Sequence, residues 1–304
     1  MGFFDLQVNG YAGVDFNGDS LDAAAVDTVC LRLESQGVEG ILATVITDSL
    51  PTMEARLQRI VRLLQQRPSL QRIIRGIHIE GPFINSEVGY RGAHPVDAIR
   101  RADVSAMQRL LDAADGLVRL VTLAPEQDLG LRVTRMLTDK KIIVSAGHTN
   151  ASLDELRAAI DAGLTMFTHL GNGCPAVMPR HDNIVQRVLS LRGELWLCFI
   201  ADGAHIPFYA LKNYLDLVGL DKVIIVTDAI VASDVGPGEF RFGRWELKIG
   251  DDLIARSPDN SHLVGSTVTM QKSFRNLVEH LGFSSDDARR LLEWNPQMAL
   301  REKL

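Results

Sequence analysis

The 304-residue sequence predicts an α/β fold, a single (β/α)₈ TIM barrel spanning residues 1–304. Three observations carry this expectation. Short apolar runs alternate strictly with longer stretches of helical spacing, eight pairs in all, and such alternation implies a parallel sheet. The short runs are apolar on both faces, as strands are when helices cover them. No Gly-x-Gly-x-x-Gly follows the first run, which counts against an open dinucleotide-binding sheet. Six pairs would favour an open sheet, whereas eight favour closure into a barrel.

The first strand is expected at 3–8, ending in Asn9-Gly10, with a helix at 21–35 carrying Leu21, Ala24, Ala25, Val29 and Leu33 in phase. A buried strand at 40–47 precedes a helix at 52–66 whose stripe is Leu57, Ile60, Val61 and Leu64. The third strand, 73–80, stops at Gly81-Pro82, and a helix follows at 104–114. Strand 117–124 is closed by Pro125 and leads to helix 129–138. Strand 141–146 ends in Gly147-His148, before a helix at 152–162 with Leu153, Leu156 and Ile160 in phase. Strand 164–170 and helix 183–191 form the sixth pair, and strand 195–201 and helix 208–218 the seventh. Strand 222–227 is the eighth, and its helix, 266–281, arrives late.

Residues 231–264 interrupt the rhythm. A structureless loop of that length is improbable in a compact domain. Gly236-Pro237-Gly238, the alternation Glu239-Phe240-Arg241-Phe242, and turn signals at Gly243 and Gly250-Asp251-Asp252 read as a β-hairpin excursion over the strand-end face.

Composition narrows the function classes. Hydrophobic residues make up 46% and charged residues 23%, ordinary for a globular enzyme. The net charge of -6 and the lack of a basic run point away from nucleic acid and anionic membrane. The three cysteines, Cys30, Cys174 and Cys198, are widely spaced without a Cys-x-x-Cys, which fits a reducing cytoplasm better than a disulfide framework. The opening residues read as a first strand rather than a signal peptide, and no apolar run approaches bilayer-spanning length.

Barrel active sites form at the C-terminal ends of the strands. There the sequence places His78-Ile79-Glu80, Gly147-His148, Thr168-His169, Asp202-Gly203-Ala204-His205 and Thr227-Asp228, with His94 in the loop after the third strand. Five of the eight histidines therefore fall on one face. One carboxylate and two imidazoles, Glu80, His148 and His169, make a three-ligand metal site with an open position. Asp228, directly after an apolar strand, is placed to stay ionised beside a cation and to take a proton from water. His78 points to the same side as Glu80 and reads as a supporting or packing residue. His181 reads as a polar-loop residue beside Arg180, His262 and His280 as surface residues, Asp202 as turn chemistry, and Cys174 as structural.

Ile77-His-Ile-Glu-Gly-Pro82, Gly92-Ala-His94-Pro, Ser145-Ala-Gly-His148-Thr-Asn-Ala151, Thr168-His169-Leu, Ile200-Ala-Asp-Gly-Ala-His205, Val226-Thr-Asp228-Ala and Leu263-Val-Gly-Ser-Thr-Val-Thr-Met270 together resemble the N-acetylglucosamine-6-phosphate deacetylases of the amidohydrolase superfamily. So does the opening, Asp5-Leu-Gln-Val-Asn-Gly-Tyr-Ala-Gly-Val-Asp-Phe-Asn17. The resemblance implies a divalent metal, often zinc, on Glu80, His148 and His169, with iron, cobalt and manganese as alternatives. It implies Asp228 as base and then acid, and His94 as the group that polarises the acetyl carbonyl. It implies Asn172, Gly173, Arg180 and His205 at the sugar phosphate, and a homodimer sharing part of that phosphate site.

Three departures from the family pattern shape the expectations. Gln7-Val8-Asn9 stands where many amidohydrolases carry His-x-His, so one metal ion per subunit is expected. The usual small β-sandwich built from both chain ends is expected to be missing, with the 231–264 hairpin its only remnant. The segment from Gly171 to Asn183 differs from the family's, which bears on the substrate more than on the chemistry. The rival functions are hydrolysis of a different N-acyl sugar or cyclic amide, and non-catalytic sugar-phosphate or metal binding.

Overall fold

The computed structural model describes residues 2–301. Eight parallel strands form a nearly closed barrel: β1 (Phe3–Val8), β2 (Val38–Ile46), β3 (Ile74–Glu80), β4 (Val118–Leu123), β5 (Ile143–Ala146), β6 (Leu164–Phe167), β7 (Trp196–Ile200) and β8 (Val223–Val226), paired in that order. The helices of the βα units are α1 (Ala23–Ser35), α2 (Leu50–Gln66), α3 (Val104–Ala113), α4 (Arg132–Asp139), α5 (Leu153–Asp161), α6 (Ile184–Ser190), α7 (Phe208–Val218) and α8 (Met270–Glu279). Within 231–264, β9 (Gly238–Phe242) and β10 (Trp245–Ile249) pair as an antiparallel hairpin turning at Gly243-Arg244. No helix among the described residues is long and apolar enough to cross a membrane.

Local chemistry sets the helix starts. Asp22, Ser49, Asp103, Ser152, Asn183 and Thr269 each accept a backbone N–H of the first turn, and Ser152 and Glu155 form a reciprocal capping box. Two starts lie three or more residues from expectation. Gly130 and Leu131 have φ of 68° and 54°, so α4 begins only at Arg132, where the Asp128 carboxylate accepts the N–H groups of Val133 and Thr134. Helix α8 begins at Met270 rather than 266, because Ser266 is held extended: its N–H donates to the Asp228 carbonyl and its carbonyl accepts from Ile230 N–H. Helices α9 (Ser285–Arg289) and α10 (Asn295–Arg301), joined by a π turn at Arg290–Trp294, were not expected from the sequence.

Three packing zones follow. The outward strand faces meet the helices, where Leu57, Ile60 and Leu64 of α2 are among the buried side chains. Leu42, Leu120, Ile143, Met166 and Trp196 fill the barrel's interior with Ala299 of α10. One layer higher the interior is polar. His78 Nε2 lies 2.8 Å from Thr122 Oγ1, which bonds Thr168 at 2.7 Å, which in turn bonds Ser145 at 2.7 Å. Burial pushes the His78 imidazole down to about 4, so it is neutral at neutral pH. The third zone is the hairpin, packed over the strand ends through Phe242, Leu247 and Ile249.

A carboxylate side chain helps stitch the seam between β8 and β1. The backbone supplies one bridge, Val8 with Ala229, and bonds from Asn9 N and Gly10 N to the Ala229 carbonyl. Buried Asp5 adds two bonds across it: Oδ1, which also accepts Gln7 N–H within β1 (3.1 Å), accepts Thr227 N–H (3.2 Å), and Oδ2 accepts the Thr227 hydroxyl (2.5 Å). Burial outweighs these bonds and raises the Asp5 carboxyl from 3.8 to about 7. The folded state thus holds a proton that the unfolded chain has lost above about pH 4, so stability falls as pH rises from there to about 7. Asp5→Asn keeps the Oδ1 acceptor and removes the titration. Its melting temperature is expected to vary less than that of the wild type between pH 5 and 8, measured by calorimetry.

Candidate metal centre and active site

The ends of β3, β5 and β6 bring three buried groups together. Glu80 Oε1 lies 3.1 Å from His169 Nε2 and 3.3 Å from His148 Nε2, and the two imidazole nitrogens are 3.1 Å apart. Atoms bound to a tetrahedral ion at 2.0–2.1 Å lie roughly 3.3 Å from one another, so the triangle matches one face of such a site. The ring orientation also fits. His148 Nδ1 donates to the Tyr90 carbonyl at 2.8 Å, which leaves Nε2 as the nitrogen that faces Glu80 and His169. Burial alone would raise the Glu80 carboxyl, but hydrogen bonds and charge from His148 and His169 hold it well below the ordinary range. These three could hold a metal ion, and they are the one such group among the described residues. The donor set and its spacing fit a divalent cation.

Backbone strain accompanies the site. His148, His169 and Asp228 have φ of 51°, 32° and 53°, in the left-handed region that non-glycine residues avoid. Such residues cost about 1–3 kcal/mol each and persist where surrounding structure enforces them. For His169 this ends β6 at Phe167, short of the expected 170. Glycines make room for the His148 ring. A Cβ on Gly173, whose φ is 59°, would lie 2.7 Å from His148 Nδ1. Gly173→Ala is therefore expected to displace the ring from Tyr90 and weaken metal binding about 10–100-fold, the range for losing an outer-shell partner, read by competition with a chelating dye.

Asp228 sits opposite, at the end of β8. Its Oδ1 accepts Asn9 Nδ2 at 2.6 Å and Gln7 Nε2 at 3.0 Å, and Gln7 also donates to Glu80 Oε1 at 3.1 Å. The two neutral amides of β1 thus sit between two carboxylates. Burial and the Glu80 charge raise the Asp228 carboxyl to about 6, against opposing contributions from His169, His205 and the Asn9 bond. Its free oxygen could accept a proton near neutral pH.

His94 stands on the other side of His148, with Nε2 3.2 Å from His148 Nε2 and Nδ1 2.8 Å from Thr47 Oγ1. Burial lowers its pKa to about 3, so the ring is neutral. The Thr47 hydroxyl has one proton and two acceptors in reach, His94 Nδ1 and the Glu80 carbonyl at 3.2 Å. Spent on His94, that proton leaves the other nitrogen as a donor.

These groups line one cleft of about 880 Å³, together with Asn9, Asn172, Gly173, Cys174 and His205. Asn172 Nδ2 donates to the His169 carbonyl at 3.2 Å. Asp202 has two tasks. Its Oδ1 closes the turn by accepting Ala204 N–H and His205 N–H, and its Oδ2 holds His205 Nδ1 at 2.6 Å, leaving Nε2 as the ring's free nitrogen. Arg180 is exposed and outside the cleft's lining, unlike the other residues expected at the sugar phosphate. His262, expected as a plain surface residue, lines the cleft edge-on to Trp245 at 5.3 Å. The excursion folds back over the strand ends, so a histidine far along the chain reaches the site. Sequence spacing also missed Arg91, Phe242 and Trp245 in the lining.

Comparison with known proteins places this geometry in a family. No family model matches the sequence. The N-acetylglucosamine-6-phosphate deacetylase of Bos taurus is 34% identical over 306 residues, covering 98% of this chain and 73% of the relative. The chain belongs to the N-acetylglucosamine-6-phosphate deacetylase family. A family structure, a mutant of the Mycobacterium smegmatis N-acetyl-D-glucosamine-6-phosphate deacetylase in complex with N-acetyl-D-glucosamine-6-phosphate, superposes with a TM-score of 0.88 at 29% identity, covering 99% of this chain and 77% of that one. The N-acetylgalactosamine-6-phosphate deacetylase of Escherichia coli O157:H7 is 28% identical over 299 residues, 98% of this chain and 77% of the relative. The likeness to these deacetylases extends over nearly the whole chain, every cleft-forming strand included.

Proposed function

We propose that the chain is a metal-dependent deacetylase that hydrolyses N-acetylglucosamine 6-phosphate to glucosamine 6-phosphate and acetate. The observation that carries this is the convergence of Glu80, His148 and His169 with Asp228 and His94 in one cleft, in a chain of this family. Glu80 Oε1, His148 Nε2 and His169 Nε2 would hold one divalent cation, zinc by ligand preference, with iron, cobalt and manganese compatible. That ion supplies polarisation of the amide carbonyl and lowers the pKa of water.

The chain's own residues do the rest. Asp228 takes a proton from the attacking water as the C–O bond forms. His94 donates through Nε2–H to the carbonyl oxygen as it gains charge, with its tautomer set by Thr47; one such donor contributes about 3–4 kcal/mol. Asp228 then delivers its proton to the sugar nitrogen as the C–N bond breaks. Gln7 and Asn9 occupy one Asp228 oxygen and leave the other for these transfers. Asn172, the backbone at Gly173 and His205 hold the sugar phosphate. The exposed Arg180 fits a cation offered to the cleft of a second copy in a homodimer. Three unpaired cysteines are in keeping with a cytoplasmic enzyme.

The test is acetate release from a panel. N-Acetylglucosamine 6-phosphate should be cleaved with kcat/KM at least about 10²-fold above that for unphosphorylated N-acetylglucosamine, because charge-assisted contacts at His205 and Arg180 are lost with the phosphate. The galactosamine epimer tests the alternative suggested by the E. coli relative. Equal rates with and without phosphate would favour another N-acyl substrate.

A further inference from the structure

The cleft has two chemically different ends. Toward β6 and β7 it is polar, with Asn172 and His205. Toward β1 and β2 it is walled by Ile46, the last residue of β2, and by Phe242 and Trp245, which flank the hairpin turn, with the His262 ring edge-on to the indole. Ile46 and Phe242 belong to one buried cluster, with Trp245 and Ala93 packed against it. Trp245 Nε1–H donates to the Ala93 carbonyl at 2.9 Å, which ties this wall to the residue preceding His94.

The wall is anchored. Gly243 N–H donates to Asp15 Oδ2 at 2.8 Å at the hairpin turn. Arg244 beside it bridges Asp48 (2.5 Å) and Asp97 (2.9 Å), and Asp48 is also paired with Arg56 at 3.0 Å. A wall pinned at its turn and packed from behind does not yield easily to added volume.

We propose that Ile46, Phe242 and Trp245 form the acyl subsite, and that this wall restricts the enzyme to short acyl groups. The inference rests on the deacetylase reading. There, the amide lies over the Glu80–His148–His169 triangle, with its carbonyl oxygen turned to the neighbouring His94. Its nitrogen carries the sugar phosphate toward Asn172 and His205, so the acyl substituent points the opposite way, into the apolar end. A methyl group offers no hydrogen bond, and apolar side chains are the surroundings that suit it. The hairpin therefore has a chemical role: it gauges the length of the acyl chain.

The test compares kcat/KM for N-acetyl, N-propionyl and N-butyryl glucosamine 6-phosphate in the metal-loaded wild type, Phe242→Leu and Ile46→Ala. Each methylene beyond acetyl should cost the wild type about tenfold or more. The butyryl-to-acetyl ratio should rise about tenfold in either variant. The ratio is taken within one preparation, so partial unfolding of a variant does not distort it. Wild-type cleavage of butyryl as fast as acetyl, or ratios within about twofold of wild type in both variants, would overturn the subsite while leaving the deacetylase reading intact. Absence of hydrolysis of every N-acyl compound by the wild type would overturn that reading and the subsite with it.

Discussion

Asp228→Asn is expected to lower kcat by about 10³-fold with little change in KM, as removal of a group that moves a proton in the transition state should. The substitution is nearly isosteric. An Asn at this position keeps an oxygen to accept from Gln7 and Asn9, so the β1 amides and the position of Glu80 are preserved. What disappears is the ability to take a proton from water and return it to nitrogen. The pH profile carries a second signature. Asp228 must be ionised to act, so wild-type kcat/KM falls as pH drops through its pKa. Burial and Glu80 raise that pKa to about 6, while a bound cation favours the anion and moves the limb lower. The acid limb should therefore lie at or below about pH 6 in the wild type and be lost in the variant. Near-normal turnover in Asp228→Asn would remove this residue from the mechanism.

Glu80→Gln is the second large effect: metal affinity should drop by more than about 10²-fold and turnover should vanish at stoichiometric metal. Even outer-shell partners cost 10–100-fold when lost, and Glu80 contributes the site's one anionic ligand atom. Gln has the same shape but offers a neutral amide, a poor partner for a transition metal. Thermal unfolding gives a readout independent of activity. A ligand that binds only the folded state stabilises it in proportion to the logarithm of its concentration over Kd. Wild type should melt higher with metal than with chelator, and Glu80→Gln should show almost no difference. A metal-dependent shift of wild-type size in the variant would place the ion elsewhere.

The placement of the candidate site at the strand ends was legible in the sequence because strand order and strand ends follow from apolar periodicity. Glu80, His148, His169 and Asp228 each lie at the end of an apolar run, and a parallel barrel directs all such ends to one face. Periodicity is silent on how the chain leaves a strand. The left-handed conformations at His148, His169 and Asp228 are imposed by neighbours distant in sequence, and the ends of β6 and the start of α8 shift with them. Helices α9 and α10 escaped notice because the π turn at Arg290–Trp294 breaks the phase of any continuous helical stripe. The roles of Asp5, Gln7 and Asn9 depend on β8 returning beside β1, a contact over more than two hundred residues that no local pattern announces. Hairpin residues in the cleft were hidden for the same reason. Arg180 lies exposed outside the lining of its own chain's cleft, and a motif in one sequence does not say which copy's cleft such a residue faces.

The most direct test of the central claim is a titration of metal-free protein with Zn²⁺, following acetate release from N-acetylglucosamine 6-phosphate. The expected result is activity that rises linearly from zero and breaks at one equivalent per chain, the stoichiometry of a single Glu80–His148–His169 site. Full activity in the metal-free protein, or no acetate at any ratio of zinc to chain, would contradict it.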